Sequence, residues 1–302
     1  MIHASPMPLS PGRPIARWDV VAHQEALHGS GRLHDLGSRA AVALVGLPIV
    51  AWVIALGPRP SAVLFGAAAA VGCSEYYRLT LGAIRGGAYV GIAAAAAIPL
   101  VPAFLSAAVV GPVLFGLVAA ASMFTWTVEL FGSSRASAPE RAGHIVAGLL
   151  YSSAGLVALS ALRSTGAGIA WTAIVLVGCW ANDTAAYLVG STVGRHKLWR
   201  AVSPRKTWEG LIGGFVGGIL GLLAIRPWLP RYLGIDVCVA LGALVGVLDP
   251  LGDLCKSMLK RAYHVKDASH LLPGHGGMLD RIDGVLFAAP IVWIVRWMLF
   301  PS

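Results

Sequence analysis

The chain has 302 residues, of which 57% are hydrophobic and only 12% charged. A soluble domain of this length carries roughly a quarter charged residues to cover its surface, so the composition excludes an ordinary water-soluble globule. The net charge of +9 does not indicate a nucleic-acid binder, because Lys and Arg are gathered in short segments between long apolar runs, as in a membrane protein facing anionic lipid.

In chain order, residues 1–39 form a polar segment with Pro6, Pro8, Pro11 and Pro14. It lacks the apolar core of a secretory signal and reads as a disordered tail. The rest, 40–302, reads as one membrane domain whose catalytic half is 168–302. A spanning helix needs about 20 mostly apolar residues. On that criterion about nine candidates follow: 40–57, 60–78, 87–105, 109–131, 143–162, 168–190, 207–225, 235–251 and 283–300. The expected fold is therefore an all-α, polytopic helical bundle.

A cytoplasmic N-terminus places most Lys and Arg inside and leaves Arg59, Arg163, Arg226 and Arg231 outside, which is the orientation the positive-inside bias favours. Loops at 191–206 and 252–282 then face the cytoplasm and hold most of the charge of the second half. The four cysteines, Cys73, Cys179, Cys238 and Cys255, form no CxxC pair, so neither a zinc site nor a disulfide framework is expected.

Carboxylates are the informative residues in so apolar a chain, because an unpaired one in hydrocarbon costs several kcal/mol. Seven of those after residue 180 fall in three clusters. The first is Trp180-Ala-Asn182-Asp183-Thr-Ala-Ala-Tyr187, which sits in or at the end of an apolar run. An interhelical hydrogen bond is the structural alternative there. In the second cluster, Ser203-Pro204-Arg205-Lys206-Thr207-Trp208-Glu209-Gly210, Ser203 and Pro204 read as the N-cap and first residue of a helix. A helix start bearing Arg205, Lys206 and Thr207 suits a phosphate.

The third cluster runs from Asp249 to Asp283. Asp249, Asp253 and Ser257 are spaced to share one helical face, and Asp280 and Asp283 to share another. Oxygen ligands from two helix ends suit magnesium, which takes one or two carboxylates plus phosphate oxygens. Lys260, Arg261, Lys266 and Arg281 could neutralise phosphates, and Gly274, Gly276 and Gly277 allow backbone N–H groups close to an anion. Carboxylate-held metal beside a basic clamp is phosphoryl-transfer chemistry. No Walker A motif, GxGxxG fingerprint or GxSxG elbow is present. Glu129 and His144 read as structural hydrogen-bond partners, and His196 and His264 as loop residues.

Ser257-Met-Leu-Lys-Arg-Ala-Tyr-His-Val-Lys-Asp267 followed by Leu272-Pro-Gly-His-Gly-Gly-Met-Leu-Asp-Arg-Ile-Asp283 closely resembles the signature of the phosphatidate cytidylyltransferases. The two shorter clusters resemble that family's other motifs in the same order. Together they cover roughly 175–285, while the N-terminal half is similar only in hydropathy. The resemblance implies that CTP and phosphatidate give CDP-diacylglycerol and pyrophosphate. It further implies magnesium, with a second cation left open, a homodimer, and a multi-pass protein of the inner (plasma) membrane working on its cytoplasmic side.

Metal ligation is then expected from Asp253 and Asp280 with Asp249, and catalysis from Asp253, Asp280, Asp283, Lys206, Lys260 and Arg261. Substrate contacts are expected from Asn182, Asp183, Ser203, Lys206, Thr207, Ser257, Lys266, His275, Gly276, Gly277 and Arg281. Lys256, Ser191 and His270 depart from the family's usual residues. Rival readings are a polyprenol kinase, an ether-lipid cytidylyltransferase, and an ion-coupled transporter carrying ions on Asp183 and Asp249.

Overall fold

The computed structural model describes residues 46–132, 135–265, 269 and 276–300. The polar segment 1–39 lies outside the described residues, as do Lys266, Asp267, His270 and His275. Among the described residues the chain is helical apart from one short hairpin, an all-α polytopic membrane fold. We number the helices α1 (Gly46–Leu56) and α2 (Pro58–Leu81), then α3 (Ala88–Phe104, with a 3-10 turn at Ile98–Leu100) and α4 (Ala107–Leu130). They continue as α5 (Ala138–Arg163), α6 (Gly168–Thr192), α7 (Trp208–Ile225), α8 (Ile235–Ala262) and α9 (Leu279–Leu299). Strands β1 (Lys197–Trp199) and β2 (Ser203–Thr207) pair antiparallel between α6 and α7.

Six helices, α4 to α9, are long and apolar enough to cross a membrane, and α1 and α3 are shorter apolar helices. Of the nine expected spans, six coincide with α4 to α9, and the described parts of the other three coincide with α1, α2 and α3, which do not meet that criterion. Boundaries also differ, and α5 starts at Ala138, ahead of its expected span. The span placed at 235–251 continues to Ala262, because the charged residues that lower its hydropathy pair with one another on one helical face instead of ending the helix. The last helix likewise begins at Leu279, so much of the expected 252–282 loop is helical.

Helix α5 carries much of the core: Ile145, Leu149, Leu156, Leu159 and Leu162 are buried among α2, α3 and α9. Tyr77 of α2 fixes that packing by donating from its hydroxyl to the Ile145 carbonyl at 2.7 Å. On the other side α6, α7 and α8 form a second layer, in which small residues let backbones approach. At Gly217 of α7, for example, a Cβ would overlap Ala185 of α6. Large apolar side chains such as Phe115, Met123 and Ile212 stay exposed, as expected where lipid is the solvent.

The C-terminal ends of α2, α4, α6 and α8 and the N-terminal ends of α5, α7 and α9 lie at one end of the bundle, with the hairpin. Contacts there include Glu129 Oε2 with Arg141 Nε at 2.8 Å and Tyr263 with His144 at 3.4 Å. Glu129 also accepts the Gly87 N–H at 3.0 Å, the structural role expected of it. At the opposite end the buried Arg163 guanidinium donates to the Ile54 carbonyl, at 3.0 Å from Nε and 2.8 Å from Nη2.

Candidate active site

Helix α8 sets the site. Asp249, Asp253, Lys256 and Lys260 follow one another at intervals of a helical turn, so one face presents two acids and then two ammonium groups. Helix α9 crosses this face at its first turn with Asp280 and Asp283. The acids converge on Lys256, whose Nζ lies 2.9 Å from Asp253 Oδ1, 2.5 Å from Asp283 Oδ2 and 3.5 Å from Asp280 Oδ1. Lys260 Nζ adds a second contact to Asp280 Oδ1 at 2.8 Å, and Gly277 N donates to Asp280 Oδ2 at 3.2 Å. From β2, Lys206 Nζ reaches Asp253 Oδ2 at 2.5 Å.

A second tier lies deeper. Asp249 is 3% exposed and accepts from Asn182 Nδ2 of α6 at 2.5 Å. Asp183, next along α6, neighbours Asp249, Asp253 and Lys206 and opens on a cavity of about 540 Å3. Lys197, Arg205, Lys206, Thr207 and Asp253 also line that cavity, between the hairpin and α6, α7 and α8. Asn182 Oδ1 is buried at its edge and finds no hydrogen-bond donor among the described residues. A larger cavity at the opposite end, about 720 Å3, has no carboxylate in its lining.

The expected start of α7 is corrected. Ser203 is no N-cap; Ser203 to Thr207 pair with β1, Lys197 facing Thr207 and Trp199 facing Ser203. The cap is Thr207, whose Oγ1 accepts the Gly210 N–H at 3.1 Å. The physical reason is that β1 offers residues 203–207 a ladder, so the helix waits until Trp208. Glu209 in the first turn of α7 accepts from His196 Nδ1 at 2.6 Å and closes the base of the hairpin.

Thus Asp253, Asp280, Asp283, Lys206 and Lys260 meet around one ammonium, and Asn182, Asp183 and Asp249 stand beside them. Arg261 turns toward the hairpin, where its Nε donates to the Val202 carbonyl at 3.3 Å. Ser257 is half-buried one residue past Lys256, and Arg281 is exposed at the start of α9. Gly276 has φ of 73°, a backbone suited to glycine, and Gly277 lies against a carboxylate of α2.

That carboxylate, Glu75, supports the site from outside the motifs. It is buried, accepts the backbone N–H groups of Met278 at 3.0 Å and Leu279 at 2.8 Å, and also accepts from the Ser269 hydroxyl. It satisfies orphan donors at the start of the helix that carries Asp280 and Asp283. An acid within an apolar segment was the only signal in the sequence that could have found it.

The arrangement of motifs is matched by comparison with known proteins. A sequence model of the cytidylyltransferase family matches residues 37–299, most of the chain. The chain belongs to that family. It is 43% identical over 133 residues to the phosphatidate cytidylyltransferase of Thermotoga maritima, covering 42% of this chain and 49% of that protein. It is 37% identical over 128 residues to the phosphatidate cytidylyltransferase of Staphylococcus epidermidis, with coverage of 42% and 49%. The protein of the same name from Staphylococcus aureus is 40% identical over 116 residues, covering 38% of this chain and 45% of that protein. The chain spans about half the length of the curated relatives it matches.

Proposed function

We propose that this family member joins CTP to phosphatidate, forming CDP-diacylglycerol and releasing pyrophosphate. The observation that carries the reading is the meeting of Asp253, Asp280 and Asp283 with Lys206, Lys256 and Lys260 beside a cavity lined by Lys197 and Arg205. Carboxylates that can share a cation, next to free space edged with positive charge, suit a reaction between two phosphates.

The donor set fits one divalent cation. Asp253 and Asp280, from different helices, each turn Oδ1 to the Lys256 ammonium and leave Oδ2 outside that contact for a metal ion beside it. Among the described residues no group of three or more His, Cys, Asp or Glu side chains is arranged to hold a metal. The fit is therefore to magnesium shared with substrate phosphates, not to an all-protein cage. Asp253 and Asp280 would hold it, with Asp249 behind them. Bound there, magnesium supplies charge neutralisation between phosphate groups.

The chain's own residues do the rest. Lys206 and Lys260 hold the acids in place and offset charge that builds up on the departing pyrophosphate. Lys197 and Arg205 at the cavity wall attract the incoming phosphates. A phosphatidate phosphate is already largely ionised near neutral pH, so its oxygen can attack the α-phosphorus of CTP without a strong general base. The acyl chains stay in the bilayer while the head group enters from the side. The positive-inside bias supports a cytoplasmic site, and the resemblance alone supports a homodimer. Pyrophosphate release from CTP by the purified chain tests the reading: it should require both phosphatidate and magnesium. Pyrophosphate release with no lipid, or formation of CDP from CTP with a polyprenol in place of phosphatidate, would overturn it.

A further inference from the structure

Lys256 occupies the centre of the acidic cluster, and nothing in the proposed reaction requires an ammonium there. It is 6% exposed, and its Nζ touches three carboxylates drawn from two helices, with the Asp280 carbonyl also at 3.5 Å. We propose that the Lys256 ammonium is a tethered cation that permanently fills one cation position between α8 and α9, leaving the site to take up a single divalent ion. The inference rests on reading the cluster as a cation site and deepens it by assigning one position to the protein itself.

Three physical points carry it. The Lys256 ammonium lies within ion-pair distance of three carboxylates from two helices, so it does what a bridging ion does: it draws Asp253, Asp280 and Asp283 together. A buried lysine is expensive unless paired, so these contacts keep it in place. A magnesium ion needs oxygens at about 2.0–2.1 Å, and it cannot share the space between the three acids with an ammonium already there.

The test is Mn2+ titration of the detergent-purified full chain, followed by electron paramagnetic resonance with neither CTP nor lipid phosphate present. The wild-type chain should bind at most one Mn2+. In Lys256→Gln the vacated position should raise Mn2+ affinity by about tenfold or more, since a positive charge a few ångströms away is removed. Magnesium should also raise the melting temperature of that variant more than that of the wild type. Should the variant fail to insert, Lys256→Gln with Asp283→Asn opens the same space at unchanged formal charge, and tighter Mn2+ binding than wild type is again expected. Mn2+ affinity equal to wild type in whichever variant folds overturns the proposal. Because no substrate is present, that result leaves the transfer reaction untouched, and loss of transfer alone leaves this inference standing.

Discussion

Glu75 and Leu279 are 204 residues apart in sequence, yet the Glu75 carboxylate accepts the Leu279 backbone N–H at 2.8 Å. The first half of the chain thereby holds the helix that presents Asp280 and Asp283. Removing this acceptor leaves buried donors unpaired, at about 1–3 kcal/mol. Glu75→Gln should lower kcat by about tenfold, since losing about 1.4 kcal/mol of positioning has that effect. The KM for CTP should change less, and Glu75→Ala should cost more than Glu75→Gln. Steady-state pyrophosphate release on detergent-purified variants checks this, with membrane yield as the control for folding.

Asp280→Asn should abolish turnover while the protein still reaches the membrane. The side chain keeps its size, and its one amide oxygen can still accept from Lys260 or from Gly277 N, which use different oxygens of the carboxylate. What is lost is the negative charge that would grip a cation. Near-normal pyrophosphate release in this variant would contradict the assignment of Asp280.

Lys206 bridges the hairpin to Asp253 at 2.5 Å and also faces the cavity. Lys206→Met removes a charge that offsets developing phosphate charge and leaves Asp253 with Lys256 alone. Loss of one such group typically costs about 100-fold or more in rate. Single-turnover rates with saturating CTP should fall by that order, and lowering the ionic strength should not restore them.

The corrected start of α7 gives a sharp contrast between two neighbouring hydroxyls. Thr207→Ala removes the cap on Gly210 and should destabilise the protein by about 1 kcal/mol. Ser203→Ala removes no helix cap and should leave the melting temperature close to wild type. Equal losses in thermal melting of the two variants would contradict this boundary.

Much of the fold could be read from the sequence because lipid imposes one strong condition, a run of apolar residues long enough to cross it. Six of the nine expected spans coincide with helices long and apolar enough to cross, and the other three with helices that are shorter or less apolar. The end of α8 was misjudged because hydropathy falls at Asp253, where helical order does not. A stripe of acids followed by lysines continues the helix by pairing with α9 and β2. Ser203-Pro204 resembled a helix start because local sequence cannot reveal that Lys197 to Trp199 will offer it a strand partner. At the site, the motifs contain nearly every charged residue that converges, since turn spacing within α8 and α9 fixes their faces. Glu75 escaped because both its backbone donors are more than 200 residues away, and no local pattern encodes such a pairing.

Gly284 follows Asp283 on α9 and lies against the Asp249 carboxylate so closely that a Cβ would overlap it. Position 284 therefore reports on position 249. Among relatives of this chain, a larger residue at 284 should come only with a smaller or missing acid at 249, and the reverse exchange should free 284 to vary. Any attempt to graft this pair of helices into another scaffold must transfer the acid and its bare neighbour together.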